Sequence, residues 1–175
     1  MNKKIKVAIC SPSFSSNKIL RKEVKNSFSK ITFNDSGEVL KDNKLYNFLK
    51  NNDAAVIGLE KIDSKILDKL PDLKIISKFG VGLNNIDLDY IKKKKIKLSW
   101  TPGINKRSVS EITLMFIINL LRNSYNAISD VKQGKWKKSL GSELTGKTIG
   151  IIGYGLIGKD LIKLLKPFKC KVYIN

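Results

Sequence analysis

A glycine-spaced turn, Gly153-Tyr154-Gly155-Leu156-Ile157-Gly158, constrains this chain more than any other feature. It follows the apolar run Ile149-Gly150-Ile151-Ile152 and opens a helix-patterned stretch from Leu156 to Lys166. A second strand-like run, Lys171 to Ile174, comes after it. Alone, G-x-G-x-x-G is a weak pattern; strand, turn, helix and strand together supply the context it requires. Each glycine has its own physical task. Gly153 permits a tight turn, Gly155 lets a pyrophosphate approach the backbone, and Gly158 lets the helix pack close to the sheet. The helix start offers free amides and the positive end of a dipole to phosphate groups. The pattern therefore predicts dinucleotide contacts at Gly153, Tyr154, Gly155, Leu156, Ile157 and Gly158. A turn that needs only glycine's flexibility is the plainer alternative. An Asp or Glu about 20 residues further on ordinarily holds the adenosine ribose. Here the count arrives at Asn175, with the acidic position expected just beyond it.

Upstream, strand and helix patterns alternate with short connections. Lys6–Cys10, Ile31–Phe33, Ala54–Gly58, Leu73–Ser77 and Ile96–Trp100 read as strands, most of them β-branched and buried. Asn17–Ser29, Asp42–Leu49, Asp63–Leu70 and Asp87–Lys94 read as helices, the third started by Asp63 or Ser64 and stopped by Pro71. Ser11–Ser16 reads as a polar turn. Such alternation predicts an α/β fold with a parallel, flavodoxin-like sheet over residues 1–100. Residues 101–175 then hold a linking helix and the first βαβ unit of a Rossmann fold, truncated. Ser108-Val109-Ser110-Glu111 fits a capping box, with the helix running to about Arg122 and a second helical stretch over Asn123–Gln133. Ile112–Leu121 is too short and interrupted to span a membrane and reads as a buried helix.

The net charge is +19, carried mainly by lysines scattered along the chain; Arg21, Arg107 and Arg122 are the only arginines. A nucleic-acid binder would cluster its basic residues with aromatic ones. The charge instead reads as compositional bias, and no specific nucleic-acid partner is expected. Cys10 and Cys170 are far apart, which suggests neither a disulfide framework nor a zinc site and makes a reducing cytoplasm the default. The chain contains no histidine, so no histidine acid or base operates within it.

Three further segments carry a resemblance. Pro71-Asp72-Leu73-Lys74-Ile75-Ile76-Ser77-Lys78-Phe79-Gly80-Val81-Gly82-Leu83-Asn84-Asn85-Ile86-Asp87 is similar to the stretch P-x-L-K-x-I-x-x-x-G-V-G-x-D-N-I-D of D-isomer-specific 2-hydroxyacid dehydrogenases. Thr101-Pro102-Gly103-Ile104-Asn105 with Ser108-Val109-Ser110-Glu111 resembles that family's T-P-G-x-N and A-V-A-E segment. Leu144-Thr145-Gly146-Lys147-Thr148-Ile149-Gly150-Ile151-Ile152-Gly153 resembles its entry to the nucleotide domain. The order and spacing are those of the family's N-terminal portion, with phosphoglycerate dehydrogenase the nearest flavour.

The resemblance implies a substrate domain over residues 1–100 and a partial NAD-binding domain over 101–175. It implies NAD as cofactor and a small 2-hydroxy or 2-oxo acid as substrate, with 3-phosphoglycerate among the candidates. Val81 and Gly82 would offer backbone amides to the substrate carboxylate, Asn105 would lie near the substrate, and Val109 would pack near the nicotinamide. Glu111 reads as a helix cap and Lys78 as a solvated lysine. Glu60-Lys61 stands where phosphoglycerate enzymes often carry arginine, which counts against a phosphorylated substrate. The family's catalytic Arg, Glu and His lie downstream, so no catalytic residue is assigned here and the chain alone is expected to be inactive. A sheet with so few strands leaves an unpaired edge, which predicts a homodimer or a complementing chain. A non-catalytic dinucleotide-binding or scaffold remnant is the alternative reading.

Overall fold

The computed structural model describes residues 2–175 and divides into two compact units at the junction of Pro102 and Gly103. In the first unit, β1 (Asn2–Ile9), β2 (Phe28–Phe33), β3 (Ala54–Ile57), β4 (Ile75–Lys78) and β5 (Lys97–Ser99) form one sheet in the order β2-β1-β3-β4-β5. Every pairing is parallel. This strand order is the flavodoxin-like one, in which ligands gather at the carboxyl ends of the strands.

Helices α1 (Pro12–Ser16), α2 (Lys18–Ser27), α3 (Asp42–Leu49), α4 (Ser64–Leu67) and α5 (Leu88–Lys93) connect these strands. Short polar residues define several of the starts. Asn17 caps α2 through Ile19 and Leu20, Asp63 caps α4 through Ile66, and Asp87 caps α5 through Tyr90. The core follows the period-2 rule of strands. Ala8, Cys10, Ala55, Ile57 and Ile76 meet Leu45 and Leu49 of α3, Ile66 and Leu67 of α4, and Ile91 of α5.

In the second unit, α6 (Lys106–Leu121), α7 (Ser124–Lys132), β6 (Thr148–Ile151), α8 (Leu156–Leu165) and β7 (Lys171–Ile174) follow one another. Strands β6 and β7 pair in parallel as a two-stranded sheet. Leu144, Ile151, Leu161 and Leu165 form its buried centre, and Leu114, Ile117, Ile118 and Leu121 of α6 pack against them.

Four sequence expectations are corrected. Ser11–Ser16 is not a simple turn: Ser11 caps a short helix whose first position is Pro12, where proline's missing N–H costs nothing. The Asp63 helix ends at Leu67, with turns carrying the chain to Leu70 before Pro71 has any effect. Ser108-x-x-Glu111 is no capping box, because α6 already begins at Lys106, placing Ser108 inside the first turn. Glu111 is therefore an exposed mid-helix residue. Finally, α6 is buried on one face only. Ile112, Met115, Phe116 and Leu120 are exposed, since a two-stranded sheet offers an apolar surface to one side of the helix.

Candidate functional site

In the first unit, the carboxyl ends of β3 and β4 and the turn after β1 enclose a cleft of about 640 Å³. Ser11, Ser13, Gly58, Lys78, Val81 and Gly82 are among the residues lining it. After β4, Phe79 still donates its N–H to Ile57. The next three N–H groups, those of Gly80, Val81 and Gly82, have no acceptor among the described residues. Gly80 has a φ of +136°, a conformation that only glycine adopts readily. The carbonyl of Val81 accepts a hydrogen bond from Trp100 Nε1 at 2.9 Å. The peptide joining Val81 to Gly82 is trans, so its N–H points opposite to that carbonyl and away from the indole. The loop thus presents consecutive unbonded donors, an arrangement suited to an anion such as a carboxylate.

Beneath this loop lies a polar network that sequence reasoning missed. Lys78 is not a solvated lysine. Its ammonium is partly buried and donates to Gly58 O and, at 2.8 Å, to Asn85 Oδ1. Asn85 Nδ2 in turn donates to Gly58 O at 3.2 Å and Glu60 O at 2.7 Å. Desolvation holds the Lys78 ammonium below the usual lysine range, and the negative charge of Glu60 partly offsets this. Glu60 is fully buried; its Oε2 accepts from Gly58 N–H at 2.6 Å, and its Oε1 has no partner. A lone acidic residue directly after an apolar strand was the available signal, but one-dimensional spacing does not reveal which side chain it faces.

In the second unit, Gly153 closes the turn after β6 with a φ of +95°. Its N–H donates to Asn175 O at 3.1 Å, while Asn175 N–H donates to Ile151 O at 3.1 Å. Gly155 is the N-cap of α8 and, lacking a side chain, satisfies none of the helix's first amides. The N–H groups of Leu156, Ile157 and Gly158 have no acceptor among the described residues. The three glycines differ in what requires them. A β-carbon on Gly158 would stand 2.5 Å from Gly153 O, so close packing of helix on turn demands glycine there. At Gly153 the positive φ demands it. At Gly155 the φ is −84° and a β-carbon would meet nothing within 4 Å. Nothing in the chain itself calls for glycine at that position; a ligand pressed against the backbone would. The turn therefore fits a dinucleotide phosphate, with open space at Gly155 and uncapped amides behind it.

Asn105 is the exposed N-cap residue of α6 and makes no side-chain capping bond. Val109 is half-buried one turn further on, its carbonyl accepting from Thr113 Oγ1 at 2.7 Å. Gly103, with a φ of +66°, lies against Leu156: a β-carbon there would come within 2.5 Å of Leu156 Cδ1. Gly103 and the start of α8 are thus neighbours inside the second unit. Arg107 of α6 also reaches α8, donating to Asp160 Oδ1 at 3.1 Å.

Comparison with known proteins decides the ancestry. Residues 7–160 match the family model described as "D-isomer specific 2-hydroxyacid dehydrogenase, catalytic domain". The chain belongs to the D-isomer-specific 2-hydroxyacid dehydrogenase family. A hydroxypyruvate reductase of Thermotoga maritima is 35% identical over 140 residues, which cover 78% of this chain and 46% of that protein. The human D-3-phosphoglycerate dehydrogenase is 34% identical over 113 residues, covering 63% of this chain and 21% of the relative. Among solved structures, the NAD+-bound 3-phosphoglycerate dehydrogenase of Entamoeba histolytica superposes with a TM-score of 0.74 at 24% identity, over 98% of this chain. The superposition covers 53% of that structure's chain. This 2-hydroxyacid dehydrogenase chain spans about half the length of the first curated relatives it matches, 46% and 48%. No helix among its described residues is long and apolar enough to cross a membrane.

Proposed function

We propose that this chain supplies the substrate-carboxylate loop and the dinucleotide-phosphate turn of an NAD-dependent oxidoreductase that interconverts a 2-hydroxyacid and its 2-oxoacid. Residues 1–100 form the substrate domain, and residues 101–175 the linking helix and the start of the NAD-binding domain. The observation that carries the reading is Gly155: open space where a β-carbon would be, at the start of a ten-residue helix whose first amides are unbonded.

The N–H groups of Val81 and Gly82 receive the substrate carboxylate, and the Trp100 bond to Val81 O lies on the opposite side of the peptide that carries the Gly82 N–H. Asn105 lies near the substrate and Val109 packs against the nicotinamide. Gly153, Tyr154, Gly155, Leu156, Ile157 and Gly158 hold the pyrophosphate through main-chain amides. When bound, NAD supplies the hydride acceptor for the substrate's C2. A separate group takes the hydroxyl proton, and that group is no histidine of these 175 residues, which include none.

The second partner in this reading is another copy of the chain, seated on the exposed apolar side chains of α6 and α7. Met115, Phe116, Leu120, Tyr125 and Ile128 make this a surface of the kind that marks protein interfaces. Both cysteines are free, which suits a reducing cytoplasm.

Fluorescence titration of the 175-residue chain with NADH tests the cofactor assignment. Saturable binding that is abolished by Gly155→Val supports it. A folded chain that does not bind NADH, or a Gly155→Val variant that binds it as well as the parent, overturns it.

A further inference from the structure

We infer that the outer face of helices α3, α4 and α5 binds single-stranded nucleic acid without regard to base sequence: lysines along a groove hold the phosphates, and Tyr46 and Tyr90 stack against bases. This activity is independent of the oxidoreductase reading above.

The three helices cover one side of the first sheet, where Leu45 and Leu49 of α3, Ile66 and Leu67 of α4 and Ile91 of α5 enter the same core. Between α3, α4 and the segment after β3 lies a groove of about 550 Å³. Lys41, Lys61, Lys65 and Lys69 line it, with Tyr46 and the exposed Leu59 in its wall. Two carboxylates share this lining, so cations outnumber anions four to two. One of them, Asp63, is already taken by Lys61 at 3.1 Å and by the N–H of Ile66. The other is Asp42.

The basic residues are interleaved with rings. Lys50 and Lys69 each place Nζ 5.9 Å from the centre of the Tyr46 ring, and Lys93 and Lys94 place theirs 5.6 and 5.7 Å from that of Tyr90. Two consecutive residues join the rings. Lys69 touches Tyr46, while Asp68 accepts from the Tyr90 hydroxyl at 2.5 Å and pairs with Lys94 at 2.8 Å. Tyr46 and Tyr90 therefore flank the segment that follows α4, and Asp68 is neutralised within the patch. Both rings are half-buried, packed on the core beneath and open to solvent above. A pocket-sized anion would use Tyr46 and the groove alone; the continuation of lysine and ring onto α5 suits a strand. A basic groove with aromatic platforms matches a chain of phosphates whose bases each offer a flat face. Lysines scattered in sequence are gathered here because the parallel sheet sets α3, α4 and α5 on the same side.

The test is fluorescence anisotropy of a labelled oligothymidylate of about 12 nucleotides, titrated with the whole chain over a salt series. Saturable binding is expected, and a strand of the same length lacking bases is expected to bind at least about fivefold more weakly. Tyr46→Leu/Tyr90→Leu is expected to bring the two strands within about twofold of each other, and Tyr46→Phe/Tyr90→Phe to preserve the difference. Lys65→Gln/Lys69→Gln is expected to lower the slope of log Kd against log salt by about 1.4, about 0.7 for each cation removed. Lys18→Gln/Lys22→Gln, exposed lysines of α2 and outside this face, is expected to leave the slope unchanged. Absence of binding overturns the inference. Equal affinity of the parent chain for the two strands, or an equal change of slope from the α2 pair, also overturns it, since either means attraction to net charge alone. Should the leucine variant not fold, the comparison of strands on the parent chain and the two lysine pairs decide.

Discussion

Gly158 lies so close beneath Gly153 that a β-carbon on it would stand 2.5 Å from the Gly153 carbonyl oxygen. Gly155, between them in sequence, has no such neighbour. The two positions therefore separate a structural requirement from a ligand requirement. Gly158→Ala is expected to destabilise the second unit by about 1–3 kcal/mol through overpacking against backbone. Gly155→Ala is expected to change stability by less than about 0.5 kcal/mol while weakening NADH binding at least about tenfold. Urea denaturation and fluorescence titration of both variants check the contrast; equal loss of stability at the two positions would contradict it.

The pair formed by Arg107 and Asp160 fastens α6 to α8. The Asp160 side chain is 6% exposed and its Oδ2 has no partner, so Arg107 supplies its only ionic contact among the described residues. Arg107→Met removes the cation and leaves a buried carboxylate. Because the arginine is itself 48% exposed, the expected cost is discounted to about 1–3 kcal/mol. The double variant Arg107→Met/Asp160→Leu is expected to recover part of that loss. Chemical denaturation of the three chains measures the coupling.

Trp100 should govern the shape of the carboxylate loop more than the stability of the sheet. It is 40% exposed and donates one hydrogen bond, to Val81 O. Trp100→Phe keeps most of the ring and deletes the donor, at an expected cost of about 0.5–1.5 kcal/mol. Faster amide exchange confined to residues 79–83 is the expected signature. Unaltered exchange in that loop would show that the bond does not hold it.

Acid should weaken the first unit through Asp63. Its carboxyl lies below the usual aspartate value of 3.8, chiefly because of Lys61, whose Nζ is 3.1 Å away, and also because it caps Ile66 N–H. A depressed carboxyl pKa means that the unfolded chain binds protons more readily. The associated stability is present above pH 3.8 and is lost as pH falls from there through the lower, folded value. Asp63→Ala is expected to cost about 1 kcal/mol at pH 7, as for other lost caps, and progressively less below pH 4. Denaturation midpoints of parent and variant at pH 7 and pH 3 test the convergence.

If the chain pairs with itself through α6, polar residues on that face should abolish pairing without harming the fold. Phe116 and Leu120 are 54% and 82% exposed in the single chain. Phe116→Lys/Leu120→Lys is expected to be monomeric at concentrations where the parent sediments as a dimer, with stability changed by less than about 0.5 kcal/mol relative to an isolated parent chain. A parent chain that sediments as a monomer would remove the proposed dimer.

Much of the architecture was legible from residue pattern alone. The span of α3 and that of β7 were read to the residue, and the five strands of the flavodoxin-like sheet were located, because their β-branched runs and polar caps act over short distances. The α6 start was misread because Ser108 and Glu111 satisfy a spacing rule that a helix beginning two residues earlier makes irrelevant. The glycine turn was legible because its demands are backbone demands: a positive φ at Gly153 and a close approach at Gly158 exclude other residues. Tertiary structure alone decided the environment of Glu60 and Lys78. They stand 18 positions apart at the ends of strands β3 and β4, which pair in parallel, and Asn85 joins them only once those strand ends are side by side. Whether a lysine is a solvated charge or a committed donor depends on what the sheet places beside it, and parallel pairing between distant segments is not written in the spacing of either one.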